Sequence, residues 1–281
     1  MNAKKFGKTG RDVTEVGMGT YYDKPWIRVA KHGWAMGGST KVKALKAGLD
    51  GGITLIDTAE AYYSEPFIAK AIRGRKRDDL FIATKVWLDH LHHDDLVMAL
   101  ERSLRAMETP YVDLYQIHFP NSSVPIKETM AAMEEMVDKG KTRAIGVSNF
   151  SLEQMVEANS ALSRQEIAAC QVNYSLAHRK PERDLIPYCL QNGIAVLAYY
   201  PLGHGLLAKR DRRVEAVCLR NSKTPAQVAI NWLVSKPGVF AIPRASRPRH
   251  VMEDIGGSGW RLSDADRAEL EVAFPVQPAA P

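Results

Sequence analysis

The chain has 281 residues, 45% apolar and 25% charged, enough to bury a large core and outside the compositional range of disordered segments. The 38 basic and 32 acidic residues leave a net charge of +6, which suits an anionic ligand; the charges are scattered rather than gathered in a basic stripe, which argues against nucleic acid. Three cysteines, Cys170, Cys189 and Cys218, are too few for a disulfide framework. The run GIAVLAYYPLG is too short to span a bilayer, and MNAKKFGKTGRD has no apolar signal core, so a cytoplasmic protein without membrane association is expected.

In chain order, residues 4–14, with Thr9-Gly10 at their centre, read as a hairpin. Short β-rich runs then alternate with helical stretches. Strands are expected at 13–18, 53–56, 80–84, 112–117, 144–147, 167–172, 194–198 and 239–242. Many are continuous apolar runs, the pattern of strands buried on both faces. Helices are expected at 41–50; at 94–107, with apolar residues at 96, 97, 100 and 104; and at 126–139, after Pro125 and ending at Gly140. Others follow at 151–157, opened by the capping-box pattern SLEQ; at 224–234, with a Thr cap and Pro225; and at 263–273. The basic run RGRKRDD at 73–79 reads as a solvated helix end, and His90, His92 and His93 as a solvated loop with no metal spacing.

Eight strands in this alternation predict an α/β fold: one (β/α)8 TIM barrel over residues 1–281, with an N-terminal β-hairpin and a C-terminal extra helix. An open doubly wound sheet is the runner-up. Against it, GMG at 17–19 is followed by TYY rather than completing a dinucleotide fingerprint.

In such a barrel, chemistry sits at the C-terminal ends of strands. Those ends carry Asp57 with Tyr62 in the next loop, then Lys85, His118, Ser148-Asn149, Gln171, Tyr199 and Arg244. Each has an ordinary reading alone: Asp57 as a helix cap, Lys85 as a surface lysine, His118 as a core histidine, Tyr62 as an interface aromatic. Together, an acid, a base, a phenol and an imidazole at one mouth suggest proton transfer. A phenol is a weak acid. An ammonium about 4 Å away at an effective dielectric near 20 contributes roughly 4 kcal/mol. That is about 3 pK units toward neutrality. In this reading Asp57 anchors Lys85, Lys85 acidifies Tyr62, and His118 bonds the phenol or the substrate oxygen, with Tyr63 lining the pocket. Such an acid suits protonation of the oxygen formed by hydride addition to a carbonyl.

The stretches TGRDVTEVGMGT, GITLIDTAEAYYSE, ATKVW, VDLYQIHFP, AIGVSNF, QVNYS, LAYYPLGHGLL and AIPRASRPRHVMED resemble the aldo-keto reductase family over nearly the whole chain. The resemblance implies a catalytic tetrad of Asp57, Tyr62, Lys85 and His118, and NADP (NADPH, with NADH as an alternative) lying extended over the mouth. Ser148, Asn149 and Gln171 would hold the nicotinamide carboxamide and Tyr199 would stack on its ring. Gly19, Thr20 and Leu202 would add cofactor contacts. Arg244, Ala245, Ser246 and Arg247 would hold the adenosine phosphate, with His250, Glu253 and Asp254 on the adenine side. Arg244 stands where members often have lysine, and a guanidinium fork suits a 2′-phosphate. Tyr63 and Phe119 replace a small residue and a tryptophan found in many members, reshaping the pocket. Trp26, Trp34 and Trp87 are candidate substrate walls or packing residues, and the short tail after Asp254 implies an open pocket. The expected activity is NADPH-dependent reduction of a small carbonyl substrate by a monomer or weak homo-oligomer. The alternative is a slow cofactor-binding regulatory protein, similar to potassium-channel β-subunits.

Overall fold

An antiparallel hairpin of β1 (Ala3–Lys5) and β2 (Asp12–Thr14) precedes eight parallel strands: β3 (Met18–Gly19), β4 (Leu55–Asp57), β5 (Phe81–Val86), β6 (Leu114–Ile117), β7 (Ile145–Ser148), β8 (Ile167–Asn173), β9 (Ala195–Tyr199) and β10 (Val239–Ala241). The computed structural model describes residues 1–32, 38–209 and 211–278. Strands pair in sequence order, and the ladder closes where Val16 bridges Ala241 and Gly19 bridges Arg244. The architecture is the expected barrel.

The helices are α1 (Lys24–Ala30), α2 (Gly38–Asp50), α3 (Glu65–Ile72), α4 (His93–Met107), α5 (Ile126–Asp138), α6 (Leu152–Ser160), α7 (Leu185–Gln191), α8 (Arg212–Asn221), α9 (Pro225–Val234), α10 (Pro248–Ile255) and α11 (Asp264–Ala273). They flank the strands, and α11 is the extra C-terminal helix. Among the described residues no helix is long and apolar enough to cross a membrane. The three cysteines are free thiols.

Alternation along each strand builds two cores. Ile56, Ile82, Tyr115 and Val147 face outward into the layer beneath the helices. Leu55, Phe81, Leu114, Ala169, Leu197 and Phe240 face into the barrel and fill it. The capping boxes at Ser151 with Gln154 and Thr224 with Gln227 both form, satisfying otherwise orphaned N–H groups.

Three expectations are corrected. The first barrel strand is not 13–18: Val13 and Thr14 pair back into the hairpin, and the chain joins the barrel from the Val16 bridge to Met18–Gly19. Between them Glu15 is buried and engaged by Arg261 at 2.7 Å and the Ser258 hydroxyl at 2.7 Å. The local pattern VTEVGM cannot reveal that change of partner. Second, α1, α3, α7, α8 and α10 were not read from periodicity, although α1, α3 and α10 each place a proline at the start, a helix-opening signal. Third, residues 73–79 follow the end of α3 and are mostly exposed as expected, but Arg77 among them is not solvated. Helix α3 stops at Ile72, and Arg77 turns inward to the buried Asp113 carboxylate at 2.7 Å and the Tyr111 carbonyl at 2.9 Å.

Candidate active site

Period-2 geometry decides which strand-end side chains meet. Two positions beyond inward-facing Leu55 comes Asp57; two beyond Ala83 comes Lys85; Leu114, Gln116 and His118 continue the same face. The register sets Asp57 opposite Ala83 and Lys85 opposite Gln116. The interior therefore changes from apolar below to ionisable at the mouth.

Lys85 is fully buried. Its ammonium donates to both Asp57 oxygens, at 2.9 and 2.8 Å, and to the Thr58 carbonyl at 2.8 Å. The Gln171 amide also donates to Asp57, at 2.7 Å. Tyr62 closes the 3₁₀ turn Glu60–Tyr62 that follows β4. Its ring lies 5.1 Å from the Lys85 ammonium, and its hydroxyl is 3.2 Å from His118 Nε2. The His118 Nδ1 is buried with no partner among the described residues.

The electrostatics differ from the expectation at one point. The Tyr62 hydroxyl is pushed well above the ordinary phenol value, first by burial and then by the Asp57 carboxylate. The shift runs opposite to the acidification expected of Lys85, whose ammonium is held on both Asp57 oxygens. Burial pulls the Lys85 ammonium below the ordinary lysine value, while Asp57 opposes that shift. Burial, with Lys85 second, lowers His118 to about 2, so its imidazole is neutral at working pH.

Above this layer opens a cavity of about 1210 Å³. Tyr21 packs edge-on against Tyr62 at 5.2 Å, Trp87 edge-on against His118 at 5.1 Å, and Phe119 stacks on His118 at 5.0 Å. These three, with Tyr63 and Tyr200, line the cavity. Trp87 is thus a wall. Trp26 is not: it lies buried beside Tyr22 and Phe67 and packs the core. Trp34 falls outside the described residues.

Residues 15–273 match the Aldo/keto reductase family. The chain belongs to the aldo-keto reductase family. The methylglyoxal reductase YeaE of Escherichia coli K12 is 37% identical over 246 residues, covering 84% of this chain and 85% of YeaE. The solved structure of the thermostable aldo-keto reductase Tm1743 in complex with epalrestat superposes with a TM-score of 0.87 at 38% identity, covering 97% of this chain and all of that one. An aldo-keto reductase from Klebsiella pneumoniae in complex with NADP and acetate superposes with a TM-score of 0.86 at 34% identity, covering 99% of this chain and 96% of that one.

In this aldo-keto reductase the structure sorts the other strand-end residues. Gly19, Ser148, Asn149, Gln171, Tyr199 and Arg244 all line the cavity. Asn149 sits in left-handed conformation (φ 62°); its amide donates to the His118 carbonyl at 2.9 Å and its oxygen accepts from Tyr199 at 2.6 Å. Thr20 is instead enclosed: its hydroxyl donates to the Asp57 carbonyl at 3.0 Å and accepts from Ser64 at 2.9 Å, bracing the strand that carries Asp57. Leu202 and Ala245 pack against the outer core. Arg244 reaches Ser246 at 3.3 Å, Arg247 caps α10, and His250 faces Glu253 at 3.7 Å. Asp254 is buried, and burial followed by Glu253 raises its carboxyl to about 8; an enclosed side chain is a poor match to the adenine-side role implied for it. Reading only strand ends missed Thr58, Tyr21 and Tyr200; the sequence GTYYDKPW directly after the first strand was the available signal for Tyr21.

Proposed function

We propose that the chain reduces aldehydes or ketones to alcohols with NADPH, Tyr62 delivering the proton and Lys85, Asp57 and His118 supporting it. The observation that carries this reading is one cluster at the cavity floor: a buried ammonium held on both Asp57 oxygens, 5.1 Å from the ring of a tyrosine whose hydroxyl meets His118. The donor set suits the cofactor. Ser148 and Gln171 present a hydroxyl and an amide side by side on paired strands, matching a carboxamide. Tyr199 offers a ring face at the cavity wall. Arg244, Arg247 and Arg249 gather where α10 begins, with no acid in its first turn, a setting for a 2′-phosphate.

When bound, NADPH supplies the hydride. The chain manages the proton. A phenol raised above its ordinary value stays protonated across the working range and can hand its proton to the growing negative charge. Lys85 stabilises the phenolate left behind, and Asp57 fixes Lys85 at that spot. Neutral His118 orients the hydroxyl, and the aromatic walls limit water around the reacting oxygen.

The test is direct. Protein, NADPH and an aromatic aldehyde are mixed and the nicotinamide absorbance is followed. Steady oxidation is expected. Tight binding without oxidation would leave a cofactor-binding protein in place of a reductase.

A further inference from the structure

One wall of the cavity takes no part in proton transfer. Lys24, Arg28 and Lys31 all line it, with Ile27 between them. Spaced four and three residues apart on and just past α1, they share one face, a row of charge roughly 10 Å long at about 1.5 Å per residue. All three are exposed, and none of their side chains has an ion pair or hydrogen bond among the described residues.

The acids on the same cavity, and Asp23 next to the row, are mostly engaged. Asp57 holds Lys85. Glu60 accepts the Trp87 backbone N–H at 2.5 Å and faces His90 at 3.0 Å and Arg102 at 3.6 Å. Glu65 accepts from the Thr84 hydroxyl at 3.1 Å, and Asp23, at the start of α1, accepts from the Trp26 backbone N–H at 2.6 Å. Only Asp89 lines the cavity as a carboxylate without a partner among the described residues. The residues that follow, GWAMG at 33–37, carry no charge. The near end of the row is close to the chemistry: Tyr21, three residues before Lys24, touches Tyr62 at 5.2 Å between ring centres.

We infer that the preferred substrates are carbonyl compounds bearing a carboxylate at the end remote from the carbonyl, the anion being drawn to the row of Lys24, Arg28 and Lys31. This rests on the reductase reading and adds a substrate class to it. A cleft lined by one sign of charge concentrates ligands of the other. Each partly exposed pair contributes a factor of roughly 1.5 to 5, so the row together contributes about tenfold.

The experiment compares kcat/KM for 4-carboxybenzaldehyde with that for the near-isosteric, neutral 4-nitrobenzaldehyde, using NADPH. The ratio is measured in the unsubstituted protein and in the triple variant Lys24→Gln, Arg28→Gln, Lys31→Gln. Comparing ratios between proteins cancels the intrinsic reactivity of the two aldehydes. The triple variant should lower the ratio about tenfold at about 20 mM ionic strength, and the gap should shrink at about 0.5 M salt. If the triple variant does not fold, Arg28→Glu alone should lower the ratio about fivefold. A ratio unchanged within about twofold in an active reductase overturns the inference alone, as does a rise in the KM for NADPH with the ratio unchanged, which would assign the row to the cofactor's phosphates. Failure of the unsubstituted protein to oxidise NADPH with either aldehyde overturns the reductase reading and this inference with it.

Discussion

The two ends of the barrel solve opposite problems. At the bottom, Phe6 of the hairpin is wholly buried, with ring centres 4.4 Å from Phe81 and 4.9 Å from Phe240. Gly7 follows at φ +50°, where a Cβ would lie 2.8 Å from the Ala168 carbonyl and 2.9 Å from that of Gly193; only glycine lets the turn seat there. At the mouth, Tyr63, Asn149, Tyr200 and His204 adopt positive φ without being glycine. Buried polar atoms without protein partners also gather there, at His118 Nδ1 and on the amide of Gln116 one layer beneath. The bottom is closely packed, though Asp113 Oδ1 there has no hydrogen-bond partner among the described residues, and the mouth is strained and partly unsatisfied. Strain and orphaned polar groups are tolerated where a ligand is to be met, and a well-packed opposite end makes them affordable.

Breaking each end separately should give different failures. Tyr62→Phe should cut reduction about a thousandfold while shifting NADPH affinity less than about threefold, read by turnover and by tryptophan quenching; normal turnover would remove Tyr62 from its role. At the other end, Arg77→Ala removes the nearest cation from the buried Asp113 carboxylate, leaving it the Ile82 N–H and Arg143 at 3.7 Å. It should cost about 3–5 kcal/mol and lower Tm by about 6–15 °C, with kcat unchanged where the protein stays folded. A small Tm shift would show that the bottom owes little to that pair.

Asp254, on the buried face of α10, sharpens the contrast through pH. Its carboxyl is raised to about 8, so the folded state holds the proton more tightly than the unfolded one. Stability is therefore lost as pH climbs from the ordinary carboxylate range to about 8. Asp254→Asn should be more stable than the parent by about 2 kcal/mol near pH 9 and about equal near pH 4, measured by urea unfolding. A gap independent of pH would mean that packing, not charge, sets the difference. Arg244→Ala should weaken NADPH about tenfold and NADH far less; equal losses would move the 2′-phosphate contact to Arg247. The smallest expected effect is on the pH profile. His118 is neutral above about 2 and Tyr62 is held above its ordinary value, so neither changes charge between about pH 6 and about pH 9, and kcat for reduction should vary less than about threefold there. A steep loss just above neutrality would restore the acidified phenol that strand-end residues alone suggest.

The barrel was legible because its strands are continuous apolar runs punctuated by helix caps, and because Asp57, Lys85 and His118 end three of them. Less legible were the first barrel strand, masked by the hairpin's claim on Val13 and Thr14, and the inward turn of Arg77 within a run that looks solvated. A buried partner cannot be read from a local charge pattern: Asp113 lies 36 residues from Arg77.

The sequence by itself determined which side chains of a strand share a face, since alternation along a strand is fixed by backbone geometry and needs no knowledge of neighbours. Only the tertiary structure decided what those side chains become. Asp57 meets Lys85 across 28 residues and Gln171 across 114, and burial, with the Asp57 charge second, pushes the Tyr62 phenol up. Proton affinity follows from burial and from distant partners, and both exist only once the chain has folded.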